Sequence, residues 1–305
     1  MEYDALRSRL TGGLDYRDVV ALPDGSVDRY YGVGDATGER LRTLPAFVDC
    51  LSADGVRSLK LVPEAVRPGG QAVNAARQAS VLGPEVTLYG HLDDPEPGRD
   101  AFADLPFETV SMGRAATVNV LDFDDDDLLL VESSPDLADW SLSDLRAVAP
   151  LSTVFGGDAV VCTNWVSTPG LADAFHELGA ASIPRLPFVF DPGDVLGSGV
   201  EAHRELREAV HALGGSVDTV FSVNRTELRA LTAALPDPPE PPVDDEDRVR
   251  AVRSAFDAAA VVKHGKQEAL AATEAGIVRV DNPVVDDCRQ IGGGDRFDGG
   301  LAVGL

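Results

Sequence analysis

The feature that most limits the fold is a series of short, apolar, β-branched runs separated by longer stretches of helical character. "DVVAL" (18–22), "VTLYG" (86–90), "DAVVC" (158–162), "PFVFD" (187–191), "DTVFSV" (218–223), "AAVVKHG" (259–265), "EALAAT" (268–273) and "GIVRV" (276–280) read as strands. Between them, "GLADAFHELGA" (170–180), "EAHRELREAVHALGG" (201–215) and "DEDRVRAVRSAFDAAA" (245–260) space their apolar residues as helices do. Strands that are apolar throughout must be covered on both faces, and strands joined through helices pair in parallel. The expectation is therefore α/β/α: three layers around a mostly parallel sheet. One stretch departs from this pattern. "TVNVLDFDDDDLLLVESS" (117–134) alternates, turns at its aspartates and becomes apolar again, as a β-hairpin does. Its acidic run reads as a solvated turn, with cation binding as the alternative use. "ALPDPPEPPVDDED" (234–247) reads as a stiff polar surface loop.

Charge restricts the partners. Lysine and arginine total 26 against 51 acidic residues, a net of 26 − 51 = −25 with histidine neutral. Such a field repels nucleic acid and anionic lipid. The only lysines are Lys60, Lys263 and Lys266. A scattered acidic surface with scarce lysine suits a cytosol of very high salt, where screening removes most of the self-repulsion. Cys50, Cys162 and Cys288 are widely spaced and form no C-x-x-C pair, which argues against a disulfide framework or a zinc site. "MEYDALRSRLTGGLDY" (1–16) lacks an apolar leader core, and no apolar run approaches membrane-spanning length, so a cytoplasmic location is expected.

Three short motifs could carry chemistry. In "IGGGDRFDGGLAVGL" (291–305), Gly292, Gly293 and Gly294 run into Asp295 ahead of a small-residue helix. Side-chain-free amides at a helix start can hold an anion directly, and an adjoining carboxylate can take a proton from an attacking hydroxyl. The other reading is a glycine-rich turn with Asp295 as a cap. In "GGQAVNAARQASVLG" (69–83), Gly69 and Gly70 precede a closely packed helix, and Asn74 projects from its first turns. Asn74 can hold a polyol hydroxyl, or the motif is simply a tight entry to a helix. In "FSVNRTELRALT" (221–232), Asn224 and Glu227 have the spacing of a capping box, and Glu227 could equally hold Mg²⁺ through waters. Asp28 lies just beyond the first strand, where parallel sheets place ligand groups.

In this order and spacing, the motifs resemble the ribokinase-like sugar kinases of the phosphofructokinase-B type. Gly69-Gly70-x-x-x-Asn74 with Leu82-Gly83 is similar to the N-terminal signature of that family. Asn224-x-x-Glu227 is similar to its middle motif, and Gly292 to Gly300, with Phe297, to its C-terminal one. "VVKHGKQEAL" (261–270) resembles the strand-turn-strand edge of the nucleotide site. The resemblance spans about residues 18–305. It implies a nine-stranded or similar sheet in one domain, with a small β lid at about 26–45 and 112–134. It further implies transfer of the γ-phosphoryl group of ATP to a sugar-like hydroxyl with Mg²⁺. By position, Asp295 would be the base and Gly292, Gly293 and Gly294 the anion hole. Asn224 and Glu227 would organise Mg²⁺ and phosphate; Asp28, Gly69, Gly70 and Asn74 would meet the substrate; and Lys263, His264 and Gly265 would line the nucleotide site. The lid could also pair two subunits.

Three departures stand out. Arg289 and Gln290 occupy the place of an Asp-Thr pair that helps bind a monovalent cation in the family, so the Arg289 guanidinium can stand in for that ion. Lys263-His264-Gly265 replaces a Thr-Leu-Gly-like turn. The sequence stops at Leu305, where relatives continue with elements that wall the adenine pocket. The readings that compete with an ATP-dependent sugar kinase are a nucleoside kinase, an ADP-dependent sugar kinase, and a sugar-binding regulator without turnover. The acidic surface yields a direct expectation: the thermal midpoint should climb steadily from low to molar KCl, and a flat response would dismiss the high-salt reading.

Overall fold

The computed structural model describes residues 8, 18–53, 55, 57–132, 134–283 and 291–305. Arg289 and Gln290, with the cation role expected of them, lie outside these residues.

The strands are β1 (Asp18–Leu22), β2 (Ser26–Gly34), β3 (Lys60–Gly69), β4 (Glu85–Gly90), β5 (Glu108–Ser111), β6 (Ala116–Asp122), β7 (Asp127–Glu132), β8 (Ala159–Thr163), β9 (Pro187–Asp191), β10 (Asp218–Asn224), β11 (Ala260–His264), β12 (Glu268–Thr273) and β13 (Gly276–Asp281). The longer helices, in chain order, are α1 (Leu44–Ser52), α2 (Gln71–Val81), α3 (Leu142–Val148), α4 (Leu171–Gly179), α5 (Val200–Leu213), α6 (Arg225–Ala233), α7 (Asp245–Phe256) and α8 (Gly293–Gly304).

Nine strands form the large sheet in the order β13-β12-β11-β10-β9-β8-β1-β4-β5. From β11 to β5 every pairing is parallel, and the β12–β13 hairpin adds an antiparallel edge. Both faces are covered, and the period-2 geometry of a strand divides the side chains between them. Val19 and Ala21 of β1 join the α2/α8 layer, while Val20 and Leu22 join the layer of α3 to α7. On that second face Phe175, Phe188, Phe190, Phe221 and Phe256 form a chain of ring contacts with centroids 5.0 to 5.6 Å apart. The expected three-layer, mostly parallel α/β/α class is what forms.

A second sheet, β3-β2-β6-β7, stands beside the first. Residues 26–45 and 112–134 hold β2, β6 and β7, but β3 (Lys60–Gly69) falls outside both segments. Its sequence, "KLVPEAVRPG", contains two prolines and is exposed over most of its length, so neither alternation nor an apolar run marks it. The sheet has its own small core of Val33, Phe47, Leu121 and Phe123. The aspartates between β6 and β7 form a tight turn, where Asp125 accepts the Leu44 amide at 2.9 Å and Asp124 faces Arg42 at 3.4 Å.

Helices α2 and α8 pack so closely that only small residues fit. A Cβ on Gly299 would come within 2.1 Å of the Ala75 carbonyl oxygen. Gly299→Ala should therefore force the helices apart and lower stability by about 1–3 kcal/mol in urea unfolding at fixed salt. An unchanged midpoint would show that the contact is looser than described.

Candidate active site

The polar groups gather at the carboxyl ends of the parallel strands, where an open α/β sheet leaves room for a ligand. Just past β1, the buried Asp24 accepts the amides of Gln71 at 2.9 Å and Ala72 at 2.8 Å, and so caps α2 from outside the helix. It also takes the Thr163 hydroxyl at 2.9 Å and the Asn164 side-chain amide at 3.1 Å, which ties β1 to the end of β8.

The glycine pair before α2 has two separate reasons. Gly69 leaves space that the Asp28 carboxylate fills, since a Cβ there would lie 2.1 Å from an Asp28 oxygen. Gly70 adopts φ +105° and passes the Gly25 backbone, 2.7 Å from where its own Cβ would be. Asp28 accepts the Ser26 hydroxyl at 2.6 Å, and burial raises its pKa against that hydrogen bond.

At the other end of the chain, Gly292 caps α8 with φ +72°, and Asp295 sits in the first turn. Asn74 donates to one Asp295 oxygen at 2.9 Å and so joins the two outermost motifs of the sequence. The three glycines also differ. A Cβ on Gly292 would strike Asn74 at 2.9 Å, one on Gly294 would strike His264 at 2.9 Å, and one on Gly293 would meet nothing within 4 Å. Only Gly293 faces open space. The amides of Gly293 and Gly294 meet no acceptor among the described residues, so they and the helix dipole are available to an anion.

The carboxyls here are pushed toward their neutral forms. Burial, then the nearby Asp191, raises Asp295 to about 7 against the Asn74 hydrogen bond. Burial and the charges of Asp191, Asp194 and Asp295 raise Glu227 to about 8. Asp298, one turn beyond Asp295 and fully buried, is driven well above the ordinary carboxyl range by burial and by Asp191. Asp191 is itself raised by burial, while the Gly193 amide at 2.8 Å opposes the shift. Asn224 and Glu227 form a complete capping box: the Asn224 side chain accepts from Thr226 and Glu227, and Glu227 accepts from the Asn224 backbone at 2.8 Å and from its side-chain amide. Among the described residues no three His, Cys, Asp or Glu side chains could hold one metal directly.

The turn after β11 divides its expected residues. Lys263 is 4% exposed, and its ammonium bonds Glu268 at 2.7 Å with Asp245 at 3.6 Å, inside a network that extends to Arg279 and Glu246. Gly265 accepts from Asn282 through its carbonyl. His264 turns the other way and stacks on Phe297, with ring centroids 5.3 Å apart.

Asp24, Gln71 and Asn164 were not singled out in the sequence. The side-chain oxygens of Gln71 and Asn164 lie 3.4 and 3.3 Å from the point where a Gly193 side chain would begin, and that of Gln71 is buried without a partner. Converging acceptors of this kind can read hydroxyl donors. "LPDGS" at a strand end and Asn-Trp after another offered weak signals, indistinguishable from ordinary turns.

A mostly parallel α/β/α sheet, a small second sheet, and an acid beside free amides at a helix start together define a carbohydrate kinase of ribokinase-like build, a phosphotransferase with an alcohol acceptor. The profile of the prokaryotic ketohexokinase family matches residues 8–305, and the chain belongs to that family. No curated protein matches. Among solved structures, phosphofructokinase-2 from Escherichia coli in complex with fructose-6-phosphate superposes with a TM-score of 0.63 at 18% identity, covering 94% of this chain and 86% of that one. A point mutant of the same enzyme gives 0.65 at 18%, covering 94% and 85%. Fructokinase with bound ATP from Xylella fastidiosa gives 0.63 at 15%, covering 94% and 80%. These likenesses are of fold. No described helix is long and apolar enough to cross a membrane.

The raised carboxyls make stability depend on pH. The folded state retains protons that the unfolded chain releases above about pH 4. Their contribution is thus complete below that pH and is lost as pH climbs through about 7 for Asp295 and about 8 for Glu227. The thermal midpoint at constant molar salt should fall between about pH 4 and about pH 8 and level off above that, and Asp295→Asn should flatten the fall. An unchanged slope in the variant would mean that Asp295 is not held protonated.

Proposed function

We propose that the enzyme transfers the γ-phosphoryl group of ATP to a hydroxyl of a ketohexose, with Mg²⁺, in a salt-rich cytoplasm. One observation carries this reading: Asp295 is buried, held by Asn74, and set at the open start of α8. The family membership supports a ketohexose acceptor, and the fructokinase relative solved with bound ATP supports the donor.

The acceptor lies between Asp28, Ser26 and the oxygens of Gln71 and Asn164. Asn74 occupies one Asp295 oxygen and leaves the other to take the proton of the attacking hydroxyl. The resulting alkoxide character and the charge on the phosphoryl oxygens are met by the Gly293 and Gly294 amides and the dipole of α8. A base with a pKa of about 7 is matched to proton transfer near neutrality. The donor set around Glu227 fits Mg²⁺ held through waters. Its carboxyls are hard oxygen ligands; burial and then their repulsion raise Glu227, and a cation would relieve that repulsion. When bound, the ion would neutralise charge on the donor phosphates. The small sheet covers the acceptor and excludes water.

Asp295→Asn should lower kcat by about 10²- to 10⁴-fold with much smaller changes in KM. In the wild type, kcat/KM should rise with pH up to about 7, since the base acts once deprotonated. ADP release measured in high salt, across ketohexoses, other sugars and nucleosides, checks both points. Near-normal turnover of the variant removes Asp295 from its role, and preference for a nucleoside replaces the acceptor.

A further inference from the structure

The third glycine of "GGGD" does not face the open site; it faces His264. The imidazole Cε1 lies 2.9 Å and the Nε2 3.3 Å from the point where a Gly294 side chain would begin. The ring also lies against Phe297, tilted by 32° with the centroids 5.3 Å apart. Phe297 and Gly294 belong to the first turns of α8. The imidazole thus occupies a slot that helix α8 leaves at its own start, and β11 holds it there. His264 ends β11 directly opposite Asn224 of β10, so the strand that bears it is fixed on both sides.

The slot is costly to fill with an imidazole. Nε2 is sealed from solvent and has no hydrogen-bond partner, and a buried polar atom without a partner destabilises a fold. Burial and the neighbouring Lys263 keep the ring neutral, with a pKa of about 4. An apolar side chain would avoid the unpaired nitrogen. What the imidazole offers is a flat ring that lies against Phe297 and fits where Gly294 has no side chain.

We propose that His264 is a positioning residue for phosphoryl transfer: it wedges the Gly294 peptide so that the amides of the α8 start converge on the migrating group. The inference rests on the anion-cradle reading above. It assigns a function to Gly294 that differs from that of Gly293, whose bareness serves the ligand. It also gives His264 a role through α8, without direct contact with nucleotide.

A double-mutant cycle tests the wedge. Alone, His264→Ala should lower kcat about 10- to 100-fold with little change in KM for the acceptor, while the thermal midpoint stays near that of the wild type, because the unpaired nitrogen leaves with the ring. Gly294→Ala should be at least as damaging, since its new methyl group meets the imidazole. With both changes, the methyl group occupies the vacated slot, and kcat should exceed that of Gly294→Ala about 10-fold or more. Strictly multiplicative losses in the double variant, or a full kcat in His264→Ala, would overturn the proposal. If Gly294→Ala does not fold, His264→Leu replaces it: a bulkier apolar group should raise the thermal midpoint yet lower kcat, and parallel losses of both would reduce His264 to packing. Asp295→Asn serves as the control. Should that variant turn over normally, the cradle reading itself has failed, whatever the cycle shows.

Discussion

The structure depends on how closely α2 and α8 approach. Gly299 against the Ala75 backbone and a buried row of Ala72, Ala75, Ala76 and Ala79 let the two helices touch almost backbone to backbone. Only at that spacing can Asn74 on one helix reach Asp295 on the other, 221 positions further along the chain. A wider interface would leave the acid without its donor and with more water. Packing by small residues therefore sets both the geometry and the acidity of the site.

The acidity has a wider origin. Asp24, Asp191, Asp295, Asp298 and Glu227 are all buried near the strand ends. Buried carboxyls this close cannot all be charged. Asp24 accepts two helix amides, a hydroxyl and a side-chain amide. Burial first, and then their mutual repulsion, raises the others, Asp295 to about 7 and Glu227 to about 8. A cost in stability thus becomes a property of the site.

Much of this was legible in the sequence. "DVVAL", "PFVFD" and "EALAAT" match the bounds of β1, β9 and β12, because buried parallel strands are apolar throughout and end at turns. The glycine motifs marked places of close approach, because missing side chains signal it. Their reasons were less visible. Three adjacent glycines looked alike on the page, yet one answers to Asn74, one to open space and one to His264, and only the fold supplies those neighbours. Asn224-x-x-Glu227 satisfied the capping and the metal reading alike, and the structure retains that ambivalence, since a complete capping box sits among carboxyls that invite a cation. Asp24 was hidden because its helix starts 47 residues later. The exposed strand β3 was hidden because it lacks the apolar pattern that reveals the others.

The crossing at Gly25 and Gly70 has a mechanical meaning. The chain leaves the large sheet for the small one through Gly25 and returns from it through Gly70; a side chain on Gly70 would strike the Gly25 backbone, and one on Gly25 would strike the His91 carbonyl oxygen. The partners Ser26 and Gly69 lie immediately outward of that point. Any swing of the small sheet about that point would carry Asp28, whose carboxylate fills the space that Gly69 leaves, along with it.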